Sequence, residues 1–119
     1  MENTKNGSVG QDWVKQLNCA VTVCDAEGNI LYMNDKSISV NSKNANSLIG
    51  VNLKNCHQQR SWGIIQRLIA DGGTNIYTIT KNGKNKMIYQ SAWHDGEKVG
   101  GLVEISIELP DDLPHYDRG

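Results

Sequence analysis

The sequence lacks the features that mark several large classes of protein. It has no phenylalanine and only two prolines, and its 12 Lys and Arg nearly balance its 13 Asp and Glu. A net charge of -1 supplies no basic field of the kind that attracts nucleic acid or an anionic membrane. No apolar run approaches the roughly 20 residues of a membrane-spanning helix, and the polar first six residues do not resemble a secretory signal. We therefore expect a cytoplasmic protein with no nucleic-acid partner and no membrane partner.

Residues that carry chemistry are also few. The three cysteines, Cys19, Cys24 and Cys56, are an odd number without a Cys-x-x-Cys pair, which argues against a disulfide framework and a zinc site. No Ser/His/Asp arrangement or pair of catalytic carboxylates stands out, and Gly72-Gly73 follows its predicted helix where a phosphate loop would precede one. The sequence therefore predicts a protein that is not an enzyme.

What the chain does have is the pattern of one small domain with short elements. Its 119 residues suffice for a single domain, and thirteen asparagines favour tight turns. A hairpin is predicted around residues 26–29, short helices over 36–40 and 44–50, and a longer helix that buries Trp62, Ile65, Leu68 and Ile69. Three strands follow, joined by turns at Asn82-Gly83 and at residues 94–97.

The last strand alternates strictly, which predicts that its two faces differ. We expect Val103, Ile105 and Ile107 to point inward, with Glu104 and its even-numbered neighbours outward. Tyr89 and Trp93 share one face of the preceding strand, and Tyr77 is expected across from one of them. These aromatic side chains either stack on a planar ligand or simply pack in the core and on the sheet.

Four residues in and just after the first predicted hairpin match a pattern that is common in a known family of domains. Asp25, Gly28, Ile30 and Asn34 fit the pattern D-x-x-G-x-I-x-x-x-N that opens many PAS domains. Ser47–Leu53 resembles the Leu-Ile-Gly entry to the next PAS segment, and Gly83 and Gly100–Ser106 also fit. The resemblance spans residues 12–109 and implies an α+β fold, a five-stranded antiparallel sheet with short helices covering one face. Residues 1–11 are then a disordered leader and residues 110–119 a polar tail.

A narrower resemblance involves the segment before the long helix. Gly50–His57 is similar to a PAS subgroup with a Cys-His pair at this point, although Gln58 and Gln59 stand where that subgroup often has Pro. PAS domains bind haem, flavin or a small metabolite, or no ligand, and transmit conformational change through flanking helices or dimer contacts. The resemblance therefore implies a sensory or interaction module that signals to a partner protein.

The leading hypothesis is a module that senses a small ligand and passes its occupancy to a partner or a dimer interface. The pocket is expected between the sheet and residues 35–70. The candidate lining residues are Val23, Tyr32, Leu53, Cys56, His57, Ile65, Ile79, Tyr89 and Ile105.

Haem and flavin are the two cofactors to consider for this pocket. A haem-binding variant would use His57 as the axial ligand, with Cys56 as an alternative soft ligand. The plainer interpretation is that His57 hydrogen-bonds the loop before the helix while Cys56 fills the core. Flavin photochemistry is not expected, because Leu53 takes the place of the reactive Cys of light-sensing relatives.

The rival hypothesis is a ligand-free interaction module with a filled core. Trp13, Val14 and Leu17 form an apolar stripe on an otherwise polar N-terminal segment, and such a stripe needs a partner surface. The dimer face would then be this helix against the sheet. Both hypotheses predict a homodimer.

Overall fold

A computed structural model describes residues 12–41, 46–55 and 59–119. The helices are α1 (Asp12–Lys15), α2 (Asp35–Asn41) and α3 (Gln59–Asp71), with a 3-10 turn at Leu53–Asn55. The strands are β1 (Ala20–Asp25), β2 (Ile30–Met33), β3 (Thr74–Lys81), β4 (Lys84–Asp95) and β5 (Lys98–Glu108). The expected disordered leader, residues 1–11, lies outside the described residues. No helix in the described part of the chain is long and apolar enough to cross a membrane.

The five strands form one antiparallel sheet in the order β2-β1-β5-β4-β3. The N-terminal hairpin and the C-terminal meander join where β1 pairs with β5, with Cys24 opposite Leu102. Both α2 and α3 pack on the same face, which we call the helix-side face; the opposite one is the outer face. The predicted α+β architecture, a five-stranded sheet with short helices on one face, is confirmed.

The first hairpin is held by the side chain of Asp25. Its Oδ1 accepts hydrogen bonds from the backbone N–H groups of Glu27 and Asn29, and its Oδ2 accepts one from the Asn29 side chain. Gly28 adopts φ 88°, and a Cβ there would lie 2.5 Å from Cη2 of Trp62 on α3. The turn thus needs glycine for its backbone conformation and for the close approach of α3.

Asn34 joins three elements at the start of α2. Its Oδ1 accepts from the N–H groups of Val21 and Ser37, and its Nδ2 donates to the carbonyls of Val14 and Cys19. The bond to Ser37 is an N-cap, since it satisfies a free donor of the first helical turn. Asn34 is therefore a structural residue that connects these elements, and none of its surface is exposed.

The core lies between the helices and the helix-side face. Ile65 and Leu68 of α3 are buried, and Trp62 and Ile69 pack against the same cluster, as the helical period predicts. The remaining buried members come from the sheet and the 3-10 turn: Cys24, Ile30, Met33, Leu53 and Leu102.

Two details differ from the sequence-based expectations. Within the region expected to be helical at 44–50, residues 46–48 are irregular and residues 49–50 form a turn, and Gly50 N–H donates to the carbonyl of Ile30 on the free edge of β2. The orientation of β5 is the reverse of the one expected. Leu102 is buried on the helix side beside Cys24, so alternation puts Glu104 on that face and Val103 on the outer one.

Candidate functional site

A groove runs between the helix-side face of the sheet and the helices. It consists of three adjoining cavities of about 20, 160 and 170 Å³, and side chains of Thr22 and Glu104 line all three. We call this the central groove. Its apolar end is lined by Ile30, Met33, Leu48 and Leu53. Its other end is lined by Tyr77, Ile79, Lys81, Lys86 and Ile88.

A row of polar side chains crosses the middle of the groove. Strand register places Thr22 opposite Glu104, Glu104 opposite Gln90, and Gln90 opposite Asn75. Asn75 Nδ2 donates to Gln90 Oε1 over 3.0 Å, and Gln90 Nε2 donates to Glu104 Oε1 over 2.8 Å. Gln90 is only 4% exposed, so these two hydrogen bonds hold the Glu104 carboxylate in a defined direction.

The same row connects to α2. The hydroxyl of Thr22 is hydrogen-bonded to that of Ser37, which is fully buried on α2. Asn41 Nδ2, one helical turn later, donates to the Ser37 hydroxyl over 3.2 Å. Because Thr22 and Asn41 both line the groove, a molecule bound there would contact both ends of this hydrogen-bonded chain.

Two groups near the groove have perturbed acidity. Burial, and secondly the negative charge of Glu104, raise the pKa of Tyr77 above its ordinary value. Burial raises the pKa of the Cys24 thiol to about 11, outweighing a backbone hydrogen bond that acts in the opposite direction. A thiol of that pKa is neutral near pH 7, so Cys24 is a packing residue rather than a nucleophile.

A larger depression of about 510 Å³ opens at the end of the sheet. Its wall includes Lys84 and Glu108, which form an ion pair at 3.1 Å with 62% and 44% of their side chains exposed. Such an exposed pair contributes little to binding or stability. The smaller central groove, with its buried polar row, is therefore the better candidate site.

Comparison with known proteins identifies the architecture. No protein-family model matches the sequence, and no curated protein matches it. Among solved structures, the Aer2 receptor of Vibrio cholerae, described as a dual PAS-haem oxygen sensor, aligns with a TM-score of 0.62 and 15% identity over 78% of this chain and 96% of that one. The PAS domain of the histidine kinase ThkA aligns with a TM-score of 0.60 and 16% identity, over 75% and 97% of the two chains. The chain has a PAS fold.

A third neighbour is a receptor with a bound small molecule. Vibrio cholerae VqmA, in a structure with bound DPO, aligns with a TM-score of 0.63 and 16% identity. The alignment covers 82% of this chain but only 54% of VqmA, so this PAS fold spans about half of that protein. At these identities the likeness concerns the fold, and function has to be argued from the site.

The pocket residues predicted from the sequence fall into three groups. Leu53, Ile65 and Ile79 lie on the helix side and line the central groove. Cys56 and His57 lie outside the described residues, so the haem hypothesis and the Cys-His subgroup stay predictions. The other four candidates lie on the outer face, away from the groove: Val23, Tyr32, Tyr89 and Ile105.

The separation has a simple physical cause. Residues Leu102-Val103 are adjacent apolar residues, and strict alternation lets only one of them face the helices. The phase chosen from the sequence put Ile105 inside, whereas alternation alone left the face of Tyr89 open; the structure pairs Tyr89 with Ile105 on the outer face. The expected proximity of Tyr77 to Tyr89 or Trp93 is also wrong, because Tyr77 pairs with Ile88 on the opposite face.

The residues that the sequence argument missed are the polar row itself. Thr22, Asn75, Gln90 and Glu104 lie in four different strands, and each alone reads as an ordinary outward-facing polar residue. The Asn82-Gly83 turn and the β4–β5 turn could have indicated the common register of Asn75, Gln90 and Glu104, whereas the position of Thr22 depends on the long-range pairing of β1 with β5. Among the described residues, no group of three His, Cys, Asp or Glu is placed to hold a metal ion.

Proposed function

We propose that this PAS module binds a small molecule in the central groove and passes its occupancy to α2 and, beyond it, to a partner protein or a second copy of the chain. The observation that carries the proposal is the buried polar row, which crosses the groove beside an apolar end lined by Ile30, Met33, Leu48 and Leu53. Small-molecule sites are typically concave, mainly apolar, and provided with a few convergent polar groups.

The size of the groove limits what it can hold. An apolar cavity of about 150 Å³ accommodates benzene. The two larger cavities of about 160 and 170 Å³ are each of that size, so the described part of the groove suits a ligand with one ring or a short chain.

The route from the groove to the rest of the molecule runs through α2. The hydroxyl of Thr22 is hydrogen-bonded to that of Ser37, and Ser37 lies in the helical turn that Asn34 caps. Asn34 also holds the carbonyl of Val14 in α1, and Lys15 of α1 forms an ion pair with Asp35 at 3.1 Å. A ligand that displaces the Thr22 hydroxyl would thereby disturb α2 and the segment that precedes the sheet.

The test is a titration of the uniformly ¹⁵N-labelled whole chain with a fragment set of neutral, anionic and cationic small molecules. We expect some fragments to shift the amide resonances of Thr22, Gln90 and Glu104 together with those of residues 37–41. In a Thr22→Val variant the same fragments should still shift Gln90, Glu104 and the groove-lining Asn41, whereas residues 37–39, which do not line the groove, should no longer respond.

The matched control is Thr78→Val, which makes the same substitution on the outer, exposed side of β3. It should leave both the groove response and the α2 response intact. If no fragment of any charge class shifts the groove resonances, ligand sensing in this groove is the wrong function.

The outer face supports a second candidate function, association with another copy of the chain. Next to the polar row, but on the other face, the register aligns an apolar row: Val21, Ile76, Tyr89 and Ile105. Ile76 is 57% exposed, an arrangement that suits a surface covered by a partner. The neighbour VqmA is described as a dimer. We propose a homodimer through this face, which is compatible with ligand sensing in the groove.

A further inference from the structure

We infer that the central groove selects a small organic monocation, such as a primary ammonium attached to one ring or a short apolar chain, and that Glu104 binds the cationic group. The inference rests on the proposed ligand-sensing function and names the chemical class of its ligand.

The first argument is the direction in which the carboxylate is held. Asn75 donates to the carbonyl oxygen of Gln90, which fixes the Gln90 amide so that its NH₂ group faces Glu104. Gln90 can therefore only donate to the carboxylate. The two bonds, at 3.0 and 2.8 Å, lie across three adjacent strands and hold the Glu104 carboxylate toward the groove.

The second argument is the unused hydrogen-bonding capacity of that carboxylate. An ionised carboxylate has about four acceptor positions on its two oxygens, and Gln90 fills one of them on Oε1. The ion pairs among the described residues are Lys15–Asp35 and Lys84–Glu108, so Glu104 has no cationic partner within that part of the chain. A ligand ammonium would supply both the missing charge and up to three donors.

The third argument is the surroundings of Glu104. The narrow part of the groove beside it is walled by Leu53, Ile65 and Leu102, all of them buried. An apolar wall lowers the local dielectric constant, and this strengthens the attraction between the carboxylate and a bound cation. The same wall supplies a contact surface for the apolar part of the ligand.

The far end of the groove restricts the ligand to a single positive charge. Lys81 and Lys86 line that end. Lys86 is four residues from Gln90 along β4, about 13 Å at the usual rise of a strand. A second ammonium extended toward the lysines would meet like charge there. The ligand therefore places its cation at Glu104 and a neutral or anionic part toward the lysines.

The experiment uses four aromatic probes of similar size, each titrated into the ¹⁵N-labelled whole chain. The probes are benzylamine, benzyl alcohol, benzoate and the diamine p-xylylenediamine. We expect benzylamine to shift Glu104 and Gln90 and to bind about tenfold more tightly than benzyl alcohol, because its ammonium adds an ionic attraction to the hydrogen bond that a hydroxyl can also donate to the carboxylate. Benzoate and the diamine should both bind more weakly than benzylamine.

Variants of the carboxylate then identify its role. Glu104→Gln keeps an oxygen that accepts the Gln90 bond but removes the charge, so the preference for benzylamine over benzyl alcohol should disappear. Glu104→Asp keeps the charge and should retain a reduced preference, which preserves the test if the Gln variant is poorly folded. Glu97→Gln removes the same charge in the exposed β4–β5 turn and should leave the preference unchanged.

The outcomes separate this inference from the proposed function. If neutral or anionic fragments bind in the groove as well as benzylamine does, or if Glu104→Gln keeps the preference, the cation inference is overturned while ligand sensing stands. If no fragment of the larger set binds in the groove, ligand sensing itself is overturned, and the cation inference falls with it.

Discussion

The environment of single residues determines their chemistry in this fold, and the thiol of Cys24 is an example. Cys24 is 2% exposed, packed against Leu102 and the other core residues, and burial raises its pKa from the ordinary 9.0 to about 11. Cys19, at the start of the same segment, is only partly buried. The two cysteines should therefore differ sharply in reactivity, since only the thiolate is nucleophilic.

Our prediction is that Cys24 resists a thiol reagent at pH 8 in the native protein. In the variant Cys19→Ser/Cys56→Ser, Ellman's reagent should react fully only after denaturant is added. In the variant Cys24→Ala/Cys56→Ser, Cys19 should react in the native state. Fast native labelling of Cys24 would contradict the raised pKa and the burial that causes it.

The raised pKa of Cys24 also makes the stability of the folded protein depend on pH. Between pH 9 and about 11 the unfolded chain loses the Cys24 proton while the folded chain keeps it. The stabilisation from the neutral buried thiol is therefore complete below pH 9 and decreases as the pH rises through that window. The Cys24→Ala variant lacks this component of the pH dependence.

At the scale of elements, Asn34 connects α1, β1 and α2 through four hydrogen bonds. Two of these use its oxygen as acceptor, and two use its NH₂ group as donor. The sequence could mark Asn34 as part of a motif, because the motif is local. It could not predict the bonds to Val14 and Cys19, since these depend on where the chain returns in three dimensions.

We predict that Asn34→Asp destabilises the protein by about 3 kcal/mol, because a carboxylate oxygen would replace the NH₂ group that faces two carbonyl oxygens. The N-cap acceptor is kept, so the loss arises on the side that faces the two carbonyls, where both donor bonds are lost and a buried negative charge is introduced. Urea denaturation at pH 7 followed by tryptophan fluorescence measures it.

The control for this substitution is Asn18→Asp, at an exposed position of the neighbouring loop. It should change the free energy of unfolding by no more than about 0.5 kcal/mol. Equal stability of Asn34→Asp and the wild type would mean that the donor bonds contribute nothing.

The strands illustrate how far a local pattern can be taken. The β3–β4 hairpin was predictable from Asn82-Gly83, because both residues adopt positive φ, 54° and 77°, as a tight hairpin turn requires. The orientation of β5 was not, since it depends on the pairing of Leu102 with Cys24, which is remote in the chain. A local alternation reveals that two faces differ but not which of them the helices cover.

At the scale of the whole molecule, a polar row and an apolar row lie on opposite faces of the sheet. Its helix-side face carries the polar row of Thr22, Asn75, Gln90 and Glu104, whereas its outer face carries the apolar row that contains Ile76 and Ile105. The fold could be predicted from turns, periodicity and the PAS resemblance. Of the candidate site, Leu53, Ile65 and Ile79 were predicted, whereas the polar row was not, because it is produced by strand register. This distribution is the basis of both proposals, a ligand on the helix-side face and a second copy of the chain on the outer face.

The apolar row on the outer face predicts that the protein is a homodimer and that a single charge on this face disrupts the dimer. Ile76 is already half-exposed, so Ile76→Lys should cost little stability in the monomer but should bury an unpaired ammonium in the dimer. Ile49→Lys is the matched control, because Ile49 is 52% exposed in the loop before the 3-10 turn. Light scattering coupled to size exclusion should give twice 13.2 kDa for the wild type and the control, and 13.2 kDa for Ile76→Lys. A dimer that persists in Ile76→Lys would place the interface elsewhere, and a monomeric wild type would exclude it.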